Sequence, residues 1–217
     1  MNSPATPLAT VSAAKVKPLT WLAWLVLLVL LAYFIRKYAL HYFVFTPESY
    51  TPYFWPKVSW LFPHVAAGLL AILIGPMQFW PQMRTKYLQA HRIAGRVYVG
   101  TVLIGAAAAL GLASKADGGA AYAFGLVGLA TAWLTTTGMA FVAIRRKNIP
   151  QHRQWMMRSY VVTFAFVTFR LADDAMRAGH ILADEERAKL LAWACWAVPL
   201  LVAEVFIQAG AVFKPRT

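Results

Sequence analysis

The chain has 217 residues, of which 60% are hydrophobic and only 13% are charged, and its mean hydropathy is +0.54. An average soluble domain has about 25% charged residues, so a water-soluble fold of this length could not bury so much apolar surface. The formal net charge of +13 does not indicate nucleic-acid binding, because the 21 Lys and Arg residues lie in short clusters between apolar stretches. The single cysteine, Cys195, excludes a disulfide framework or a thiolate metal site within one chain.

Six segments are long and apolar enough to cross a bilayer, for which a helix needs about 20 mostly apolar residues. The first follows Lys15 and Lys17 as a signal peptide would, but it has no small-residue cleavage site at its end, so we interpret it as a retained anchor. The fifth has only a short uncharged stretch between Arg158 and Arg170, so its helix must begin earlier, near Pro150. The six are Leu19–Ile35, Val58–Trp80, Ile93–Ala113, Ala120–Ile144, Trp155–Phe169 and Leu190–Phe213.

These segments predict an all-α fold, a polytopic membrane helix bundle with six transmembrane helices in the inner (plasma) membrane of a bacterium. With six crossings, one face has the N-terminus, residues 81–92, residues 145–154 and the C-terminal tail. That face has 13 of the 21 basic residues and the opposite face has 8. Since loops rich in Lys and Arg stay in the cytoplasm, we expect both termini there.

The same boundaries divide the chain into four parts. Residues 1–18 are predicted to be a disordered cytoplasmic tail, and residues 19–57 an anchor helix followed by an aromatic outer interfacial segment. Residues 58–213 are predicted to form a five-helix membrane bundle, and residues 214–217 a short tail.

Local signals refine the helix ends. Thr85 and Asn148 are predicted N-caps of the third and fifth transmembrane helices. Gly75-Pro76 predicts a kink in the second one, because proline has no backbone N–H and leaves a carbonyl of the preceding turn free for another partner.

A histidine-arginine pattern occurs twice, at His91–Tyr98 and at His152–Tyr160. Both copies enter the membrane from the predicted cytoplasmic side, so His91 and His152 are expected at similar depth on two helices that run in the same direction. Membrane cytochromes hold a b-type haem between two such imidazoles, and interfacial arginines can then pair with its propionates.

The pattern therefore suggests His91 and His152 as ligands of a haem iron, with a quinone as the alternative cofactor. Arg96 and Arg158 are the candidate propionate partners, although neither shares the helix face of its histidine. Tyr98 shares the face of His91. The other interpretation is that both histidines anchor helix ends beside lipid phosphates.

Other polar residues in the apolar segments also suggest sites. A charge inside a bilayer costs about 2.5–3.5 kcal/mol, so Glu204 should have a partner, and Arg158 or Arg96 lies at its level. The other interpretation of Glu204 is proton transfer or quinone binding. Gln78 is expected in the same half. His64 lies near the opposite end, where it could bind a quinone carbonyl or relay protons, or serve only as an interfacial residue.

Near that end, Arg170 precedes Asp173 and Asp174 at helical spacing, which predicts a surface ion pair.

Several segments together resemble a known family. They are His64-x-x-x-Gly68, Gly75-Pro76-Met77-Gln78-Phe79, His91-Arg92-x-x-Gly95-Arg96-x-Tyr98, His152-Arg153-x-Trp155-Met156-x-Arg158-Ser159-Tyr160 and Thr168-x-Arg170. They resemble a widespread family of bacterial multi-pass membrane proteins that has only a domain-of-unknown-function label, over about residues 58–175. The resemblance implies a membrane location, and the positions that it marks for testing are His64, Gln78, His91, Arg96, His152, Arg158 and Arg170. It implies no activity. The histidines in neighbouring helices give a looser likeness to haem proteins of the cytochrome b561 and ferric-reductase kind.

Three functions follow as hypotheses, and whether the chain is an enzyme stays open. The first is electron transfer through one haem b or a quinone bound near the cytoplasmic face. The second is a cofactor-free accessory or assembly subunit of a larger membrane complex. The third is a small-solute or proton-coupled transporter, suggested by Glu204 and Pro76. The expected partners are the lipid bilayer and a quinone, a membrane redox partner or that larger complex, and no nucleic acid.

Overall fold

The computed structural model describes residues 18–212. The tail predicted at residues 1–18 lies outside this range except for Pro18, and the tail predicted at residues 214–217 lies outside it entirely. Within residues 18–212 the regular structure is helical throughout, which confirms the all-α class.

The described chain forms nine α-helices joined by short turns. They are α1 (Pro18–Phe34), α2 (Pro47–Phe54), α3 (Val58–Phe79), α4 (Pro81–Thr85), α5 (Leu88–Ala113), α6 (Gly119–Arg145), α7 (Ile149–Thr163), α8 (Ala165–Ala178) and α9 (Asp184–Val212). A π-helical turn (Ile35–Ala39) and a 3-10 turn (Leu40–Phe43) follow α1, and a second 3-10 turn (Trp55–Lys57) precedes α3.

Five helical stretches in this part of the chain are long and apolar enough to cross a membrane. They are Trp24–Phe43, Pro47–Phe79, Leu88–Ala113, Gly119–Arg145 and Asp184–Gly210. The predicted fifth crossing is divided at Phe164 into α7 and α8, each shorter than 18 residues. A sixth crossing therefore requires α7 and α8 together.

The outer surface is apolar and the interior contains polar side chains. Phe206 and Leu201 on α9 are 74% and 65% exposed, whereas Gln78 and Arg158 are buried. A soluble protein shows the opposite distribution, because water favours polar groups outside. This distribution fits a multi-pass membrane protein.

Residues from Phe34 onward form one compact unit, and α1 up to Tyr33 belongs to another. Within the larger unit α3, α5, α6 and α7 form a ring of four antiparallel neighbours: α3 packs on α5, α5 on α6, α6 on α7, and α7 returns to α3. Helix α9 packs on the outside of this ring, along α6, α7 and α8. Small residues allow the close approach, since Gly125 of α6 lies directly against the backbone of Ala192 in α9.

The ring closes between α3 and α7 at the predicted proline kink. Pro76 cannot donate to the carbonyl of Ile72 four residues earlier. The Tyr160 hydroxyl of α7 donates to that oxygen at 3.1 Å. Gly75 makes room for the tyrosine, because a Cβ at Gly75 would lie 2.0 Å from the Tyr160 ring. The predicted free carbonyl therefore has its partner on α7.

Of the two predicted N-caps, one is correct. The Asn148 side chain accepts a hydrogen bond from Gln151 N at 3.2 Å and caps α7. Thr85 is wrong as the cap of the third crossing, because Pro81 starts the separate helix α4 and Thr85 ends it, donating to the Pro81 carbonyl. Helix α5 starts only at Leu88.

We expect Gly75→Ala to lower the free energy of unfolding by about 1–3 kcal/mol, because an added methyl must displace a packed ring. The Tyr160 ring cannot move freely, since it also packs against Phe79 and Phe164. The measurement is thermal unfolding in detergent. Gly68→Ala on the same helix is the control, because its Cβ would meet nothing within 4 Å. Equal melting temperatures for the two variants would contradict this packing.

Candidate functional site

A buried hydrogen-bonded cluster joins α5, α6 and α7 at the centre of the bundle. We call it the Tyr98 network, and its members are Tyr98, Trp133, Thr137, Ser159 and Thr163, all buried. The Tyr98 hydroxyl lies 2.8 Å from Ser159 Oγ and 2.7 Å from Thr163 Oγ1. Ser159 Oγ is also 2.7 Å from Thr137 Oγ1, and Trp133 Nε1 donates to Thr163 Oγ1 at 2.9 Å.

The hydrogen positions in this network follow from counting donors. Thr163 donates its one hydroxyl hydrogen to the Ser159 carbonyl, so Tyr98 must donate to Thr163. Tyr98 then accepts from Ser159, and Ser159 accepts from Thr137. Every hydroxyl in the network donates once, so the Tyr98 hydroxyl has no hydrogen left for a cofactor. The network was not among the predicted sites. The pattern that indicates it is a tyrosine with serines and threonines at helical spacing in neighbouring apolar segments.

The network orients the two histidines of the repeated pattern. His91 precedes Tyr98 by seven residues and His152 precedes Ser159 by seven, which is about two helical turns in each case. Since α5 and α7 run in the same direction, the Tyr98–Ser159 contact places both histidines at the same level and toward the same interface. Each is the fourth residue of its helix and is half-buried, and the two are within electrostatic range of each other.

The nitrogens of these histidines differ in their partners. His152 Nδ1 lies 2.9 Å from the Ala140 carbonyl of α6, which can only accept, so Nδ1 has the hydrogen and Nε2 has a free lone pair in the neutral ring. His91 Nδ1 is buried and has no hydrogen-bond partner. An unpaired buried polar atom is costly, which makes this position a candidate for contact with a ligand.

A second unpaired atom lies on the neighbouring helix α3. Gln78 is buried on α3, and its Nε2 has no partner. Gly95 lies one turn after His91 on α5. If Gly95 had a Cβ, that atom would lie 3.6 Å from Gln78 Oε1, and no other neighbouring atom would lie within 4 Å of it. We call Gln78, His91, Gly95 and His152 the His91 site. It combines two imidazoles, an amide and a glycine.

The predicted partner of Glu204 is present on α7. Arg158 donates through Nε and Nη2 to Glu204 Oε2, each at 2.7 Å, and Gln208 donates to Glu204 Oε1 at 2.7 Å. Arg158 Nη1 is buried without a partner, and the guanidinium lies 4.6 Å from the Trp155 ring. Arg96 is exposed and makes no hydrogen bond or ion pair with any residue in 18–212. The ion pair directs Arg158 toward α9.

His64 and Arg170 lie at the other end of the bundle. His64 precedes Gln78 by 14 residues on α3, or about 21 Å at 1.5 Å per residue. His64 Nδ1 is 2.9 Å from the Gly105 carbonyl of α5. These two residues therefore cannot belong to the His91 site.

Arg170 does not form the predicted pair with Asp173 and Asp174. Asp173 accepts from Arg187 at 2.6 Å, and Asp174 pairs with Lys37 at 2.8 Å. Arg170 instead lies beside the rings of Tyr38 and Phe169. Helical spacing places Asp173 and Asp174 within reach of Arg170, but both carboxylates pair with basic residues from other parts of the chain.

Comparison with known proteins identifies a family and nothing more specific. Residues 61–207 match the family described as "Predicted membrane protein (DUF2306)". No curated protein and no solved structure matches the chain. The predicted resemblance to a membrane family of unknown function is thus confirmed, while the looser likeness to cytochrome b561 proteins stays a prediction.

We expect Glu204→Gln to lower the free energy of unfolding by about 1–3 kcal/mol, because it leaves the buried Arg158 guanidinium without a counter-charge. Glu185→Gln is the control, since its pair with Lys189 lies on the surface, and it should cause no measurable change. Chemical unfolding in mixed micelles measures both. The double variant Arg158→Met/Glu204→Met should recover most of the loss. An unchanged Glu204→Gln variant would show that this pair contributes nothing to stability.

Proposed function

Since the chain belongs to the DUF2306 family of predicted membrane proteins, we propose that it transfers electrons in the bacterial inner membrane through one haem b at the His91 site. The proposal includes six crossings, with α7 and α8 forming the fifth, and both termini in the cytoplasm. The single observation that carries it is the Tyr98–Ser159 contact between α5 and α7. Each histidine lies seven residues before its partner in that contact, from which we infer that His91 and His152 lie at one level.

The orientation rests on charge. With six crossings, the loop between α3 and α5, the loop between α6 and α7 and both chain ends would share one face, and 13 of the 21 basic residues would belong to that face. Helices α7 and α8 together run from Ile149 to Ala178, which at 1.5 Å per residue is long enough to cross a hydrocarbon core of about 30 Å. The His91 site then lies near the cytoplasmic surface.

The residues of the His91 site fit a haem in three respects. His152 holds its Nδ1 hydrogen on a backbone carbonyl and so offers a lone pair at Nε2, which is the usual arrangement of a metal-ligating histidine. Gly95 has no side chain, so a flat ring can approach the backbone of α5 one turn after His91, next to Gln78, whose Oε1 would lie 3.6 Å from a Cβ at this position. Arg96 has no other partner in the described chain and would be available to a propionate, whereas Arg158 is already paired with Glu204. Haem b, when bound, supplies a one-electron carrier.

A quinone at the same site is the second candidate. Two buried nitrogens without partners, Gln78 Nε2 and His91 Nδ1, favour it, because a quinone carbonyl would accept from them. The transporter hypothesis loses its two supporting features, since Glu204 is paired with Arg158 and the carbonyl freed by Pro76 is bonded by Tyr160. The accessory-subunit hypothesis requires no cofactor and predicts other subunits at fixed stoichiometry.

The orientation can be tested by labelling single cysteines in intact cells with a membrane-impermeant maleimide. In a Cys195→Ala background we expect Ser114→Cys and His180→Cys to label from outside. Thr85→Cys and Gln151→Cys should label only after the cells are permeabilised. All four positions are exposed. Labelling of Gln151→Cys and His180→Cys from the same side would show that α7 and α8 do not cross.

The cofactor can be tested by a reduced-minus-oxidised difference spectrum of the protein purified in detergent. We expect a b-type haem signal in the wild type and in His41→Ala, an exposed histidine far along the chain from the site. His91→Ala and His152→Ala should each lose it, because one axial ligand is removed.

A colourless wild type after haem supplementation would overturn the haem proposal. Organic extraction then tests the second candidate, for which quinone should be retained by the wild type and lost in Gln78→Leu. If neither cofactor is found and the protein purifies with other subunits at fixed stoichiometry, the accessory role is supported instead.

A further inference from the structure

A cavity of about 200 Å³ lies inside the helix ring at the opposite end from the His91 site. Its wall comes from α3, α5, α6, α7 and α8, together with residues of the 34–57 segment. Most of the lining side chains are apolar, among them Leu61, Val65, Leu129 and Phe166. We call it the His64 cavity, because His64 is its histidine.

His64 presents one defined nitrogen for a ligand. Its Nδ1 lies 2.9 Å from the Gly105 carbonyl, which cannot donate, so Nδ1 has the hydrogen. Nε2 of the neutral ring is then an acceptor without a partner in residues 18–212. The ring is held edge-on against Phe166, with centroids 5.7 Å apart. Orientation and tautomer are thus both set by the protein.

Arg170 is a second charged or titratable group near His64 in the cavity wall, which also includes Lys57 and the tyrosines Tyr38, Tyr53 and Tyr122. It lines the wall, is half-buried and makes no hydrogen bond or ion pair with any described residue. It follows Phe166 by one turn of α8, so it lies about 6 Å along the helix from the ring that contacts His64. An arginine kept inside a membrane bundle without a carboxylate is costly, and such residues usually have a functional partner.

The size and chemistry of the cavity limit the occupant. A cavity of about 150 Å³ can hold benzene, so the His64 cavity has room for one substituted ring and not for a macrocycle. The apolar lining favours a flat apolar body, His64 Nε2 requires a donor, and Arg170 requires an acceptor oxygen. A single-ring quinol has a hydroxyl for the first and an oxygen for the second.

We propose that the His64 cavity binds the head group of a single-ring quinol, with one hydroxyl donating to His64 Nε2 and an oxygen accepting from Arg170. This site is distinct from the His91 site and does not depend on whether that site holds haem. The head group would lie about 20 Å from the His91 site along α3, by the rise per residue. It gives an acceptor to Arg170, which makes no direct hydrogen bond or ion pair within residues 18–212.

The structure offers variants that separate binding from folding. His64→Asn keeps a donor for the Gly105 carbonyl but removes the Nε2 acceptor. Arg170→Gln removes the charge, and Arg177→Gln on the same helix is its control because Arg177 is exposed. Gly68→Leu should fill the cavity, since Gly68 lines it and has open space around its Cβ position.

Gly100→Leu is the matched control for Gly68→Leu. Gly100 also has open space around its Cβ position, but it does not line the cavity.

The experiment is calorimetric titration of the full chain in nanodiscs with a reduced short-tail ubiquinone, with the heat of partitioning into empty nanodiscs subtracted. We expect saturable binding at one site in the wild type, Arg177→Gln and Gly100→Leu. His64→Asn and Arg170→Gln should each weaken it by about tenfold or more, which is the usual effect of losing a hydrogen bond to a charged or buried partner. Gly68→Leu should abolish it.

Three results would overturn the proposal, given melting temperatures within the wild-type range. One is no saturable binding in the wild type. Another is undiminished binding in Gly68→Leu, which would place the ligand elsewhere. The third is binding lost in Gln78→Leu but not in Gly68→Leu, which would assign the quinol to the His91 site and support the quinone form of the proposed function instead.

Discussion

The hydroxyl of Tyr98 is the point on which the arrangement of the bundle depends. The hydrocarbon region has no water to satisfy a polar group, so each hydroxyl placed there must find a partner within the protein. Tyr98 on α5 has its partners on α7, and these in turn bond α6. If α7 rotated or slid by one residue, the donor chain would break, and buried hydroxyls would lose their bonds. The network therefore sets both the register and the rotation of α7.

That rotation has consequences at both ends of the bundle. Two turns before Ser159, it directs His152 toward the interface that His91 faces, while Arg158, next to Ser159 in sequence, points toward α9 and Glu204. Beyond Phe164, α8 brings Phe166 and Arg170 to the cavity that contains His64. One constraint at the centre thus produces two separate polar regions, one made of imidazoles and an amide and the other of one imidazole and one guanidinium.

Several parts of this structure could be predicted because they depend on local physics. The length of each apolar segment identifies the long helices. The missing N–H of Pro76 predicts that the carbonyl one turn earlier lacks its partner within the helix, although it does not predict that Tyr160 will bond it. The cost of a charge in lipid predicts that Glu204 has a basic partner. Prediction was wrong where two local signals competed: Pro81 started a separate helix, so Thr85 ended α4 instead of capping α5.

The sequence by itself determined that this is a multi-span helical membrane protein, because the length of an apolar segment and its flanking charges depend only on residues that are neighbours along the chain. It also determined which polar residues lie within the apolar segments and therefore need partners. Only the tertiary structure decided the partners. Arg158, and not Arg96, pairs with Glu204, and Tyr160 donates to the carbonyl of Ile72. Asp173 pairs with Arg187, while Arg170 lines a cavity. Each of these choices depends on the rotation of one packed helix against another, which is fixed by contacts between residues far apart in the chain.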